Sequence, residues 1–162
     1  MRVRPARAEE LDAVGELTVA AYVTDGMNPN DSYVEVLADA ARRARDADLL
    51  VAVDADDRLL GTVTVCEPGT PWAEVSRPGE LEFRMLAVTP AAQGRGVGER
   101  LTRAVLDRAG ERGLHRVVLC SSDYMHVAHR LYRRLGFTRL PDRDWQPVPG
   151  VRLLAFALDL DR

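Results

Sequence analysis

Residues 79–113 read GELEFRMLAVTPAAQGRGVGERLTRAVLDRAGERG, and they divide into a strand, a glycine turn and a helix. Glu80 to Val88 is apolar enough to lie buried on both faces, and Pro90, which cannot donate to a ladder, ends it. Gln93-Gly94-Arg95-Gly96-Val97-Gly98 follows, and beyond it Leu101, Ala104, Val105 and Ala109 recur at helical spacing. Glycines let the backbone turn sharply and approach a ligand closely. The first N–H groups of a helix have no partner within it, so such a start is a ready anion site that favours phosphate. A plain turn between strand and helix is the other reading. The spacing is GxGxG with no acid about 20 residues further on, which sets it apart from the dinucleotide fingerprint. The chain has no lysine, which excludes a P-loop.

The chain has 162 residues, which suits one domain (1–162) with a proper core. Its 46% hydrophobic and 29% charged residues are ordinary for a soluble globular protein. There is no apolar run long enough for a membrane span, and the N-terminus MRVRPARAEE has no apolar signal core. A cytoplasmic location and no membrane partner are therefore expected. Cys66 and Cys120 sit in strand-like apolar runs and read as buried thiols in a reducing compartment. His126 and His129 are three apart, but His115 precedes another strand and no acid completes a set, so no metal site is expected.

The net charge of −3 is unevenly spread. Gln93 to Arg143 holds 11 Arg against 5 acids, while the remainder holds 11 Arg against 20 acids. A chain basic around its glycine turn and acidic elsewhere suits a polyanionic cofactor and a cationic second substrate. A solvated helix face of mixed charge is the plainer alternative. Nucleic acid is not expected, because the basic region lacks interleaved aromatics.

In chain order, Arg2 to Pro5 reads as a strand and Ala8 to about Asp25 as an amphipathic helix through Leu11, Val14, Leu17 or Thr18, and Ala21. A second helix is expected from the GMNPND loop to about Ala47. Leu49–Val53 and Leu59–Cys66 form a hairpin across DADDR. Residues 67–79 are a Pro- and Gly-rich loop, in which Trp72 either closes on a substrate or, the better reading, pins the loop to the core. His115 to Ser121 is a continuous apolar strand, parallel to Glu80–Val88 because a crossover helix joins the two. A helix from about Tyr124 to Leu135 stops at Gly136, Phe137–Leu140 is a strand, PDRDWQPVPG is a loop, and Val151–Leu160 is the final strand. If that last strand is exposed, it allows a homodimer. The fold class is α/β with a mixed sheet and about four helices, antiparallel first and parallel in the middle.

Three segments in series resemble the GNAT superfamily of acyl-CoA-dependent N-acyltransferases. MLAVTPAAQGRGVG matches that family's Leu-x-Val-x-Pro and following glycine turn; HVAHRLYRRLGF matches its Ala-x-x-Leu-Tyr-x-x-x-Gly-Phe; and LLGTVTV carries Gly61 where the family has a glycine. The resemblance covers Leu49 to Phe137. It implies acetyl-CoA as co-substrate and two central parallel strands that splay apart to admit its pantetheine arm. The main chain of Leu86, Ala87 and Val88 would pair with that arm. Gln93, Gly94, Arg95, Gly96, Val97 and Gly98 would hold the pyrophosphate.

The resemblance further assigns Tyr132 as the general acid that protonates the leaving thiolate, with Ala128 on the same helix face. Met125 stands where the family often has an asparagine that bonds the pantetheine, and a thioether accepts only weakly. Glu82 falls where the family often has a general base, with Ser122, Asp123 and His126 as further proton relays. Strict alternation puts Glu82 on one face with Arg84, Leu86 and Val88. The expected reaction is direct transfer of an acetyl group to a primary amine, since neither cysteine has a base beside it. A non-catalytic acyl-CoA-binding module is the alternative.

Overall fold

The computed structural model describes residues 1–160. Strand β1 (Arg2–Pro5) is followed by helices α1 (Leu11–Thr24), α2 (Tyr33–Ala38) and α3 (Ala40–Asp46). Then come β2 (Asp48–Val53), β3 (Leu59–Cys66), β4 (Glu80–Val88), α4 (Val97–Glu111), β5 (Arg116–Ser122) and α5 (His126–Arg134). The chain ends in β6 (Thr138–Arg139), β7 (Trp145–Val148) and β8 (Val151–Asp159). The strands form one open mixed sheet in the order β1-β2-β3-β4-β5-β8-β6, with β7 also paired to β8. Among the described residues only β4 and β5 are parallel neighbours. Among the described residues no helix is long and apolar enough to cross a membrane.

Helices cover both faces, as the doubly apolar inner strands require. Along β2, Leu50 and Ala52 belong to the large cluster that contains Val97, Leu101, Val105 and Ala109 of α4. Leu49, Val51 and Val53, between them in sequence, pack with Val14 of α1 and Ala40 of α3. Alternate residues of one strand thus feed two cores.

Four features depart from the reading of the sequence. The expected second helix is two, because Asp39 leaves helical geometry (φ −88°, ψ 67°) and caps α3 by accepting from the Arg42 N–H at 3.1 Å. The last expected helix begins at His126, with Tyr124 and Met125 in the turn before it. The expected loop PDRDWQPVPG contains β7, an exposed strand whose Pro147 suits an edge. Finally, β8 lies between β5 on one side and β6 and β7 on the other, so its edges are occupied and it gives no ground for a dimer.

Candidate active site

The parallel ladder between β4 and β5 is short. It joins Glu80, Leu81 and Glu82 to Arg116, Val117 and Val118 and then ends. From Phe83 onward β4 pairs only with β3, while β5 continues against β8 through Ser122. The two strands diverge, and the edge of β4 that carries Leu86, Ala87 and Val88 has no ladder on its β5 side. A cavity of about 480 Å³ opens there, lined among others by Leu86, Leu119, Met125, Tyr132, Tyr33 and Glu74.

Met85 sets the geometry of the wedge. It is a non-glycine residue in the left-handed region, at φ 55°, and the β3–β4 register slips between Thr62/Ala87 and Thr64/Arg84. The bulge reverses the alternation. Leu86 and Val88 pack with Phe83 on the α4 side, whereas Met85 packs with Met27 and Leu37 under α1 and α2. Glu82 and Arg84 therefore do not share a face with Leu86 and Val88, contrary to strict alternation.

The turn before α4 is open. Gly94 and Gly96 have φ 78° and 79°, Gly96 is the N-terminal cap, and Gln93, Arg95 and both glycines are exposed. A side chain would be strained at either glycine, which leaves their amides free of steric cover. Glu99, the one acid in the first helical turn, faces Arg103 and Arg134, each at 3.7 Å. The positive end of the helix is thus not cancelled. Gly98 lets Leu131 of α5 approach, since a Cβ there would lie 3.1 Å from a Leu131 methyl.

Helix α5 forms the floor. Its buried side presents His129 and Tyr132, and Ala128 packs on the main core. Tyr132 lies edge-on to Phe83 at 5.9 Å and tilted against Phe137 and Phe156 at 5.9 and 5.8 Å. Burial pushes its phenol well above the usual tyrosine range, and the nearby Asp25 adds to that. It stays protonated at neutral pH. Met125 caps α5 and borders the cavity; its own N–H donates to the Ser122 carbonyl at 3.0 Å. Ser122 and Asp123 border the cavity, whereas His126 stands on the exposed side of α5.

His129 was not expected to matter, yet it is 3% exposed and its Nε2 lies 3.1 Å from the Ser121 hydroxyl. Burial lowers its pKa, partly opposed by a bond to the Ser122 main chain; Arg133, His126 and Arg139 lower it further. The unfolded chain therefore takes up a proton near pH 6.5 that the folded chain resists. Stability is expected to be full above that pH and to fall below it, down to the folded pKa. Chemical denaturation from pH 7.5 to 5 checks this, with a shallower slope expected for His129→Leu.

Glu82 is fully buried, and its carboxylate faces the main chain of the 67–79 loop. It accepts from the N–H groups of Glu74, Val75 and Ser76 at 2.9–3.0 Å. Glu82 is not among the cavity-lining residues, whereas Glu74 is. Arg84 has every nitrogen engaged: Nε is 3.1 Å from Glu74 Oε1, one terminal nitrogen donates to the Trp72 carbonyl at 3.1 Å, and the other to the Tyr33 hydroxyl at 2.9 Å. The guanidinium also lies over the Trp72 ring, 5.6 Å from its centre, so this indole pins the loop. Cys66 and Cys120 are both pushed up to about 12, chiefly by burial, and remain thiols rather than nucleophilic thiolates.

Comparison with known proteins adds to this geometry. The sequence model of the Acetyltransferase (GNAT) family matches residues 12–137. The mycothiol acetyltransferase of Arthrobacter sp. (strain FB24) is 43% identical over 105 residues, covering 62% of this chain and 31% of that protein. That of Pseudarthrobacter chlorophenolicus is 39% identical over 109 residues, covering 62% and 31%. The chain thus spans about a third of the length of the curated relatives it matches. Among solved structures, a GCN5-related N-acetyltransferase from Kribbella flavida superposes with a TM-score of 0.69 at 24% identity, covering 98% of this chain and 97% of the other. The yncA protein of Salmonella typhimurium, solved with its cofactor acetyl-CoA, gives a TM-score of 0.69 at 24% identity, covering 100% and 95%. These likenesses carry the fold, and the family match runs from α1 through the splayed strands to the end of α5. The chain belongs to the acetyltransferase (GNAT) family.

Proposed function

We propose that this protein moves an acetyl group from acetyl-CoA to a primary amine by direct attack within a ternary complex. The observation that carries the reading is the early end of the β4–β5 ladder, which leaves an unpaired main-chain edge beside a cavity floored by Tyr132. An extended pantetheine arm needs such an edge, and Leu86, Ala87 and Val88 would serve it. The amides from Gln93 to Gly98 would take the pyrophosphate, with Arg95 as a charge contact and the α4 dipole behind them. Met125 and Ala128 would line the arm through apolar contact alone. Tyr132 would donate to the sulfur as the thiolate forms. Glu82 serves the acceptor side through the loop it holds.

The relatives named mycothiol acetyltransferase and the neighbour solved with acetyl-CoA support the choice of acyl donor. Met125, a weak acceptor at the cap of α5, favours a second reading, a module that binds acyl-CoA without transferring the acyl group.

Thermal unfolding with acetyl-CoA, CoA, ATP or NAD separates these readings. A ligand at 100 times its dissociation constant adds about 2.7 kcal/mol, which for a chain of this size raises the midpoint by roughly 5–10 °C. The expected result is a rise with acetyl-CoA and CoA only, followed by thiol release on adding amines. A rise without thiol release supports the binding module, and no rise with either coenzyme overturns both.

A further inference from the structure

We infer that Glu74, carried on the loop between β3 and β4, faces the acceptor amine and takes its proton, and that buried Glu82 is the positioning residue that holds Glu74 there. This rests on the acetyl-transfer reading above and adds the acceptor's place within the cavity.

Glu74 lines the same cavity as Tyr132, and its side chain is only 21% exposed. One carboxylate oxygen meets Arg84 Nε; among the described residues the other has no hydrogen-bond partner. Arg84 is spent on Glu74, Trp72 and Tyr33, so it fixes the carboxylate without competing for a ligand. The titratable groups within the field of Glu74 are Tyr33 from α2, Cys66 from β3, Glu82 and Arg84 from β4, and Cys120 from β5. Of these only Arg84 is positive. Burial, with the Glu82 charge, raises the Glu74 pKa against the opposing pull of Arg84. A carboxylate shifted that way is a better proton acceptor near neutral pH.

Glu82 supplies the rigidity. Three consecutive amides, those of Glu74, Val75 and Ser76, converge on its two oxygens. The same loop is tied again where Arg143 donates to the Val75 carbonyl at 3.1 Å and pairs with Glu80. A Pro- and Gly-rich loop would otherwise leave Glu74 with many positions. The step balances as follows. An ammonium gives one proton to Glu74, which passes it to solvent. The freed nitrogen lone pair forms the N–C bond as the C–S bond breaks, and the nitrogen's second surplus proton ends on sulfur by way of Tyr132.

The test uses Glu74→Gln and Glu82→Gln in the full chain. Acetyl transfer from acetyl-CoA is read as thiol release with 2-phenylethylamine, spermidine, glucosamine and alanine amide across pH. In a Trp145→Phe background Trp72 is the only tryptophan, and its fluorescence reports each amine at the Arg84–Glu74 pair without turnover. Glu74→Gln should lower kcat/KM for the best amine about 100-fold or more, abolish the Trp72 response and keep CoA affinity within about twofold. Its remaining activity should recover as pH rises and the amine deprotonates unaided. Glu82→Gln should lose activity through a raised amine KM while keeping the acid limb of the wild-type pH profile, since Glu74 is still present. A Glu74→Gln enzyme within about threefold of wild type, or a Trp72 signal silent to all four amines, overturns the proposal. Failure of wild type to bind CoA overturns the acetyl-transfer reading instead.

Discussion

Tyr132→Phe is expected to lower turnover about 100- to 1,000-fold while leaving CoA affinity and thermal stability nearly unchanged. The substitution removes one hydroxyl and keeps the ring that meets Phe83, Phe137 and Phe156, so packing gives no reason for unfolding. The loss should fall on kcat, because a general acid at Tyr132 would act only as charge collects on sulfur. Its raised pKa shapes the step. A phenol this reluctant to ionise stays a hydrogen-bond donor at neutral pH, and full transfer of its proton to a thiolate runs uphill. On the proposed mechanism, transfer would complete only as the new amide nitrogen sheds a proton toward the same oxygen. Wild-type kcat should therefore show no alkaline loss below pH 10 that is attributable to Tyr132. Single-turnover measurements of thiol release check the prediction, and unchanged turnover in Tyr132→Phe would reduce the residue to packing.

The residues that made this site legible in the sequence act locally. A glycine pair forces the turn before α4, and an apolar run reached through one crossover helix points to a parallel strand; neither needs knowledge of distant contacts. The wedge between β4 and β5 was accessible only through the family resemblance, and the bulge that shapes it was invisible, because nothing marks Met85 as a residue that would accept φ 55°. That one residue turns Leu86 and Val88 away from Glu82 and Arg84 and so defeats the alternation rule. Glu74 was hidden for a related reason. It lies in a segment without periodicity, and its position depends on Glu82 and Arg84, partners 8 and 10 residues on across a loop. The strand at Trp145–Val148 was likewise decided by a tertiary contact, its pairing with β8, whereas the split at Asp39 turns on a local cap.

A side chain at Gly15 should displace α2, which carries Tyr33 of the cavity lining. Gly15 lies within α1, where glycine costs about 1 kcal/mol against alanine, so helix propensity alone predicts that alanine or leucine there helps. Packing predicts the reverse. A Cβ at Gly15 would stand 2.8 Å from the Ala38 carbonyl carbon, with its oxygen closer still, and that neighbour is main chain that cannot rotate aside. Helix α2 must move. Overpacking of this kind costs about 1–3 kcal/mol for modest additions, which already exceeds the gain in propensity. For Gly15→Leu the expected net loss is about 3 kcal/mol, or a midpoint lower by roughly 6–12 °C. Because α2 carries Tyr33, whose hydroxyl accepts from Arg84, displacement should also loosen the Arg84–Glu74 pair. The surviving folded protein should bind CoA normally, through β4, α4 and α5, yet show a raised amine KM. Thermal melts paired with CoA titration and amine kinetics test both halves; a Gly15→Leu protein as stable as wild type would mean that α2 rides loosely on α1 and is not a fixed wall of the site.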